Sequence, residues 1–235
     1  MAMYKITYSK MFKRANIYNY GCNYNCTWCS YKLKNDGKPK KFLGVDRIKR
    51  ILSELDIERV HFLGGEPTIC SELAEIVNFA KRELGVYTKI GHSNGSRPLP
   101  EGIDAASISI KTISEKIHIE HAGASNAPVL RNFAEAYDRG ITLDASSVLI
   151  PGLIDRDEIE RIARFIADIN TDIPYHIVGY LPVPNSPWRK PTPEEVKNAE
   201  NIAKKHLKNV TSSHLTVKDF LNLRQNIQYR SVRVA

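Results

Sequence analysis

Three of the chain's four cysteines, Cys22, Cys26 and Cys29, fall within the stretch YGCNYNCTWCSYK, with Trp28 set between the last two. Thiolates at this spacing can converge on one inorganic centre from a single loop. Iron–sulfur clusters ordinarily take four thiolates, and a structural zinc ion also asks for a fourth ligand. Cys70 lies too far along the chain to be a local fourth ligand. A cluster held by three cysteines leaves one metal position open, where another molecule can coordinate. A zinc knot completed by a histidine, or cysteines that simply pack, are the other readings of the same residues.

The elements that must carry this loop are legible in the rest of the chain. Its 235 residues are 42% hydrophobic and 26% charged, ordinary globular values. Apolar or β-branched runs predict strands over 15–20, 59–63, 87–92, 105–110, 142–149 and 175–180, with an earlier one over 4–8. Helical periodicity falls between them, over 45–55, 71–84, 127–139, 157–169 and 193–207. Asn126 and Asp155 are candidate N-caps, Thr192 with Pro193 opens the last helix, and Gly85 and Gly140 follow helices as stops. Strands alternating with helices point to βαβ units and a parallel sheet, here a partial (β/α)6 TIM-like barrel, with a doubly wound open sheet as the competitor. The expectation is a single domain over 1–235, with its core at about 15–207 and a basic C-terminal extension over 208–235.

In either architecture ligands gather beyond the C-terminal ends of the strands. The residues at those ends form a series: Gly21 with the cysteines, then GGEPT (64–68), SNG (93–95), Lys111 after the fourth strand, the 147–152 segment, and His176 through Tyr180 on the sixth. Glycines permit close backbone approach, and a carboxylate such as Glu66 suits an ammonium group.

CxxxCxxC with an aromatic residue before the third cysteine resembles the signature of the radical S-adenosylmethionine (radical SAM) enzymes, and GGEPT and SNGSRP follow in that family's order. The resemblance implies that Cys22, Cys26 and Cys29 bind a 4Fe–4S cluster whose unique iron takes S-adenosylmethionine. It implies cofactor contacts from Gly64, Gly65 and Glu66 at the amino group and from Ser93 and Asn94 near the ribose, with Trp28 as an apolar shield. The stretches ISIKTISEKIHIEHAGASNAPVLRNFAEAYDRGI and IPYHIVGYLPV are similar to those of pyruvate formate-lyase activating enzymes and their relatives. By position, Lys111 and His176 would then lie near the cofactor. The implied activity is reductive cleavage to a 5′-deoxyadenosyl radical that abstracts hydrogen, with electrons from an external ferredoxin- or flavodoxin-like donor.

The chain departs from the activating enzymes in two places. Ser109 stands where they usually carry an acidic residue two positions before the lysine, and KMFKRANIYNYG replaces their acidic-Gly-Pro-Gly-hydrophobic-Arg signature upstream of the cysteines. The substrate thus stays open between a glycyl-radical enzyme, another protein or peptide, a small molecule and RNA. Two segments are candidates to hold it: the basic loop 33–44, and the proline-rich loop 181–193 with Trp188 and Arg189 at its tip. Net charge is +8, and residues 31–50 alone carry eight Lys or Arg against Asp36 and Asp46. Such clusters attract nucleic acid or acidic protein surfaces, or serve only as a solvated face. Nothing resembles a secretory signal or a membrane span, so a cytoplasmic location is expected. The non-enzymatic alternatives are an iron–sulfur electron carrier, which would want a fourth cysteine, and a zinc-binding module.

Overall fold

The computed structural model describes residues 3–33, 41–222 and 231–235. Most of the basic loop 33–44, and Arg224 and Arg230 of the basic extension, lie outside the described residues.

Nine strands form one sheet: β1 (Met3–Ser9), β2 (Arg14–Asn19), β3 (Arg59–Gly64), β4 (Tyr87–Ser93), β5 (Ala105–Ser109), β6 (Thr142–Leu149), β7 (Tyr175–Gly179), β8 (Val210–Ser213) and β9 (Val232–Arg233). Their spatial order is β8-β7-β6-β5-β4-β3-β2-β1-β9. From β2 to β8 every neighbouring pair is parallel, whereas β1 runs antiparallel to β2, and β9 antiparallel to β1. A doubly wound sheet reverses its strand order at a switch point. This order never reverses, so the crossovers wind in one direction and lay the helices on one face. The β8 and β9 edges do not pair, which leaves a partial, unclosed barrel.

The helices are α1 (Val45–Ser53), α2 (Leu73–Arg82), α3 (Glu115–Ala122), α4 (Ala127–Asp138), α5 (Arg156–Ile169), α6 (Pro193–Ala203) and α7 (Val217–Asn222). Five match the expected helices. At α6 the capping box is complete: Thr192 Oγ1 accepts from the Glu195 N–H, and Glu195 Oε2 accepts from the Thr192 N–H. Asn126 and Asp155 do occupy N-cap positions, but their side chains do not cap. Asn126 instead donates to the carbonyls of Thr112 and Ile113, and Asp155 accepts from the Gly152 N–H. Helix α3 was not foreseen. Its segment EKIHIEHA alternates apolar and polar residues like a strand, and only His118 and Ala122 are buried. Its ends decide the matter: Ser114 accepts from the Ile117 N–H, and Gly123 closes the helix at φ 83° in the left-handed region. Strand β8 is four residues long and β9 two, too short for the sequence pattern to mark.

The two faces of the sheet differ in chemistry. Val60, Phe62, Ile90, Ile108, Ala145 and Ile177 are fully buried on the helix side. The alternate residues form the inner, concave face and are mostly polar. There Lys89 Nζ meets Asp144 Oδ2 at 2.7 Å from two strands away, Ser109 Oγ meets Ser146 Oγ at 3.1 Å, and His176 faces β8. His61 on this face is held down to about 4 by burial first and then by the charges of Arg14, Lys89 and Arg59.

This predicts an acid sensitivity of known sign. A histidine depressed from 6.5 to about 4 contributes stability that is fully present above 6.5 and is lost as pH falls toward 4. Thermal midpoints followed by circular dichroism between pH 7 and 4 should fall more steeply for the wild type than for His61→Gln. Parallel slopes would remove His61 from the account.

Candidate active site

The site is assembled where the chain leaves β2, β3, β4 and β5. Directly after β3, the backbone of Gly64 and Gly65 presses against the chain leaving β2. A Cβ on Gly64 would lie 2.1 Å from the Asn19 carbonyl oxygen, and one on Gly65 would lie 2.0 Å from that of Gly21. The Gly65 and Glu66 N–H groups donate to these same two carbonyls at 3.2 and 2.9 Å. The glycines therefore admit the base of the cysteine loop. Asn19, which sequence reasoning passed over as an ordinary strand residue, completes the crossing, its side-chain amide donating to the Glu66 carbonyl at 2.7 Å and the Gly21 carbonyl at 3.2 Å.

Glu66 is fully buried. Its Oε1 accepts from the Thr68 N–H at 3.0 Å, the Thr68 hydroxyl at 2.7 Å and the Ser93 hydroxyl at 2.9 Å, and Oε2 accepts from the Asn94 N–H at 2.5 Å. A buried carboxylate requires such partners. Here they fasten the GGEPT turn to the SNG turn, and the carboxylate is spent on the protein's own donors. Gly95 follows at φ 70°, its carbonyl held by Asn132 at 2.8 Å. From this anchored turn the Asn94 amide reaches the cysteine loop, 2.9 Å from Asn23 Oδ1 and 3.6 Å from Cys22 Sγ.

The far side of the cysteine loop hangs on α3. The Asn25 N–H donates to the Ala122 carbonyl at 3.2 Å and the Thr27 N–H to the His121 carbonyl at 2.9 Å. The unforeseen helix thus offers its last free carbonyls to the metal-ligand candidates. Glu158 of α5 sets where α3 begins, accepting from the Thr112 hydroxyl at 2.6 Å and the Ile113 and Ser114 N–H groups at 2.5 and 2.9 Å.

Cys22 is exposed, Cys29 intermediate and Cys26 buried, and all are free thiols. Burial pushes the Cys22 and Cys26 thiols up, and the Lys111 ammonium opposes that rise at both. Lys111 also stands 5.7 Å from the centre of the Tyr24 ring, whose hydroxyl burial pushes up to about 12. Cys70 is buried and its thiol meets Glu72 Oε2 at 3.4 Å, so it does not join the loop. Among the described residues no three His, Cys, Asp or Glu side chains stand arranged to hold a metal ion. The donor set nevertheless fits an iron–sulfur cluster with one open position: three thiols on one loop, a nearby lysine charge favouring thiolates, and the Tyr24 N–H directed at Cys22 Sγ at 3.4 Å.

The remaining expected residues fall in two groups. Trp188 packs 6.3 Å from Trp28, 5.3 Å from His121 and 6.4 Å from Tyr180, centre to centre, so the 181–193 loop is joined to the cysteine loop by an aromatic cluster. Arg189 is turned away into a bidentate pair with Glu195, at 2.5 and 2.8 Å. His176 is the second residue of β7 and lies on the inner face rather than at the strand end. Thr211 and Ser213 of β8 hold its two ring nitrogens at 2.8 and 3.0 Å, and burial lowers its pKa.

A partial parallel barrel with a three-thiol loop after its first parallel strand defines a class of metal-dependent α/β protein. The family model described as the Radical SAM superfamily matches residues 16–166, and the chain belongs to that superfamily. A protein of Methanocaldococcus jannaschii, provisionally named a glycyl-radical enzyme activating enzyme, is 29% identical over 219 residues, 88% of this chain and 84% of its own. The pyruvate formate-lyase-activating enzyme of Streptococcus mutans is 24% identical, over 79% of this chain and 82% of its own. A probable GTP 3′,8-cyclase of Pyrococcus abyssi is 28% identical but matches 63% of this chain and only 51% of its own length. Among solved structures, Streptococcus suis SuiB bound to S-adenosylmethionine shares the fold at TM-score 0.66 and 16% identity, with 83% of this chain covering about half (49%) of SuiB. Escherichia coli QueE shares it at TM-score 0.57 and 12% identity, over 91% and 94% of the two chains. No described helix is long and apolar enough to cross a membrane.

The crossing at Gly65 predicts a sharp steric effect. Gly65→Ala sets a methyl against fixed backbone, so the cost should exceed the roughly 1–3 kcal/mol of ordinary overpacking. At about 2–4 °C per kcal/mol for a domain of this size, the thermal midpoint should drop by more than roughly 6 °C. Gly44→Ala, where nothing lies within 4 Å of the added atom, is the control and should stay near the wild type.

Proposed function

We propose that this chain is a radical SAM enzyme that cleaves S-adenosylmethionine reductively and abstracts a hydrogen atom from its substrate. The observation that carries the reading is the three-thiol loop, one ligand short of a closed cluster, pinned between Asn94 and α3 beside the GGEPT turn. Cys22, Cys26 and Cys29 would hold a 4Fe–4S cluster. When bound, that cluster and S-adenosylmethionine supply an electron and a 5′-deoxyadenosyl radical able to take hydrogen from an unactivated C–H bond. The chain's own residues orient and protect. Lys111 offsets negative charge at the thiolates and can meet the cofactor's carboxylate. Ser93 and Asn94, held by Glu66, keep the SNG turn at the edge of the loop. Trp28, backed by Trp188 and His121, excludes water from one side of it. An external ferredoxin- or flavodoxin-like protein would deliver the electron.

Two substrate readings follow from different observations. The similarity to the two activating enzymes supports a glycine on a protein partner, and it extends over most of each chain. Ser109, bonded to Ser146 where those enzymes usually carry an acid, together with the polar inner face of the sheet, supports a smaller substrate.

Anaerobic reconstitution with iron and sulfide, reduction with dithionite and addition of S-adenosylmethionine should yield 5′-deoxyadenosine, measured chromatographically. Cys26→Ala should lose both bound iron and product. Retained turnover in that variant would overturn the ligand assignment, and intact cluster binding without cleavage under any reductant would overturn the enzymatic one. If a protein partner is the substrate, mixing the reduced enzyme with a candidate glycyl-radical enzyme should give a glycyl-radical resonance signal.

A further inference from the structure

The inner face of the barrel carries a charge imbalance that the cofactor chemistry does not use. Strand register assigns its members. Lys5 pairs with Tyr18, Thr7 with both Asn16 and Arg233, Arg14 with Arg59, and His61 with Lys89, so all of these point the same way. Asp144, which Lys89 reaches at 2.7 Å, lies on that same face and is the single carboxylate among the described strand residues there. Lys5, Arg14, Arg59, Lys89 and Arg233 thus stand against Asp144 alone.

We propose that this face binds a small anionic substrate, one bearing a carboxylate or a phosphate. The inference rests on the radical SAM reading and names the substrate class for that same barrel.

Geometry argues for a bound anion over a solvated surface. Lys5 comes from the outer part of the sheet and lies 4.1 Å above the Tyr18 ring, at the level of Ser109, Ser146 and His176 on the opposite wall. Arg14 is partly buried, its Nε has no acceptor, and it makes no ion pair among the described residues. Burying a guanidinium without a counter-charge is costly unless a ligand supplies one. His61, squeezed to about 4 by burial and then by Arg14, Lys89 and Arg59, registers the same positive potential. The neutral hydroxyls of Ser109, Ser146, Thr211 and Ser213, with His176, line the opposite wall and suit hydrogen bonding to the uncharged part of such a molecule. Because the cations line the inside of the curl and not its helical outside, the ligand must be small enough to enter it. A glycine on a protein partner would have no need of them.

The test is calorimetric titration of the full chain, at low ionic strength, with tripolyphosphate and separately with citrate. Binding of one and not the other tells phosphate from carboxylate, and either supports the proposal. Arg14→Gln should weaken binding by about fivefold or more, and Arg14→Lys should restore most of it. Asp144→Asn, which removes the lone carboxylate and frees Lys89, should tighten binding several-fold, a direction that general loss of structure does not produce. The outer-face double variant Lys116→Gln, Arg131→Gln should change nothing. Failure of both anions to bind, outer-face substitutions that weaken binding as much as Arg14→Gln, or no tightening in Asp144→Asn would each overturn the proposal. The titration needs neither cluster nor S-adenosylmethionine, so its failure leaves 5′-deoxyadenosine formation standing, and the reverse also holds.

Discussion

The site depends on a carboxylate that never meets solvent. Glu66 lies fully buried between two strand-end turns and is tolerable there only because donors from Thr68, Ser93 and Asn94 surround it. Each of those donors belongs to a turn whose position matters to the cysteine loop. The carboxylate therefore works as a bolt: it fixes the SNG turn, and that turn presents Asn94 to Cys22 and Asn23. The paired glycines allow the bolt to be inserted, because any side chain at Gly64 or Gly65 would occupy the backbone leaving β2.

A second constraint comes from the opposite side. A loop with three cysteines and few apolar residues has little to hold it by burial, so its backbone must be tied. Helix α3 supplies the ties through the carbonyls of His121 and Ala122, and Glu158 fixes the start of that helix from α5. The aromatic cluster of Trp28, His121, Trp188 and Tyr180 then joins the cysteine loop to the segment after β7. Elements far apart in the chain thus converge on eight residues, and each acts through hydrogen bonds or ring packing that the loop could not make by itself.

The sheet separates stability from function by side-chain alternation. Its outer face is apolar and packs on helices, whereas its inner face is polar, with ion pairs and hydroxyl pairs that span strands. Parallel sheets in barrels are usually filled with branched apolar side chains. Here the unclosed barrel leaves that space to polar groups, as expected of a barrel whose interior faces a ligand. Ser109 belongs to this pattern. In place of an acid it contributes a neutral hydroxyl, and Asp144 is left as the single carboxylate on the described inner wall.

The sequence by itself determined the winding of the sheet, the helices with caps and periodicity, and the identity of the chemistry, because thiol spacing and glycine-rich strand ends are local signals. It could not reveal α3, whose residues alternate like a strand and whose helicity depends on Ser114 and Gly123 at its ends. Nor could it say where Glu66 spends its charge, since the Ser93 hydroxyl and Asn94 N–H that engage it come from another strand's end. His176 looked like a strand-end residue and proved to face the interior, because one step along a strand turns a side chain to the other face. Trp188 and Arg189 are neighbours in the chain yet part company in space, one to the aromatic cluster and one to Glu195. Which side chains share a wall of the barrel is settled by strand register, a property of pairs of distant segments, and only the tertiary structure decides it.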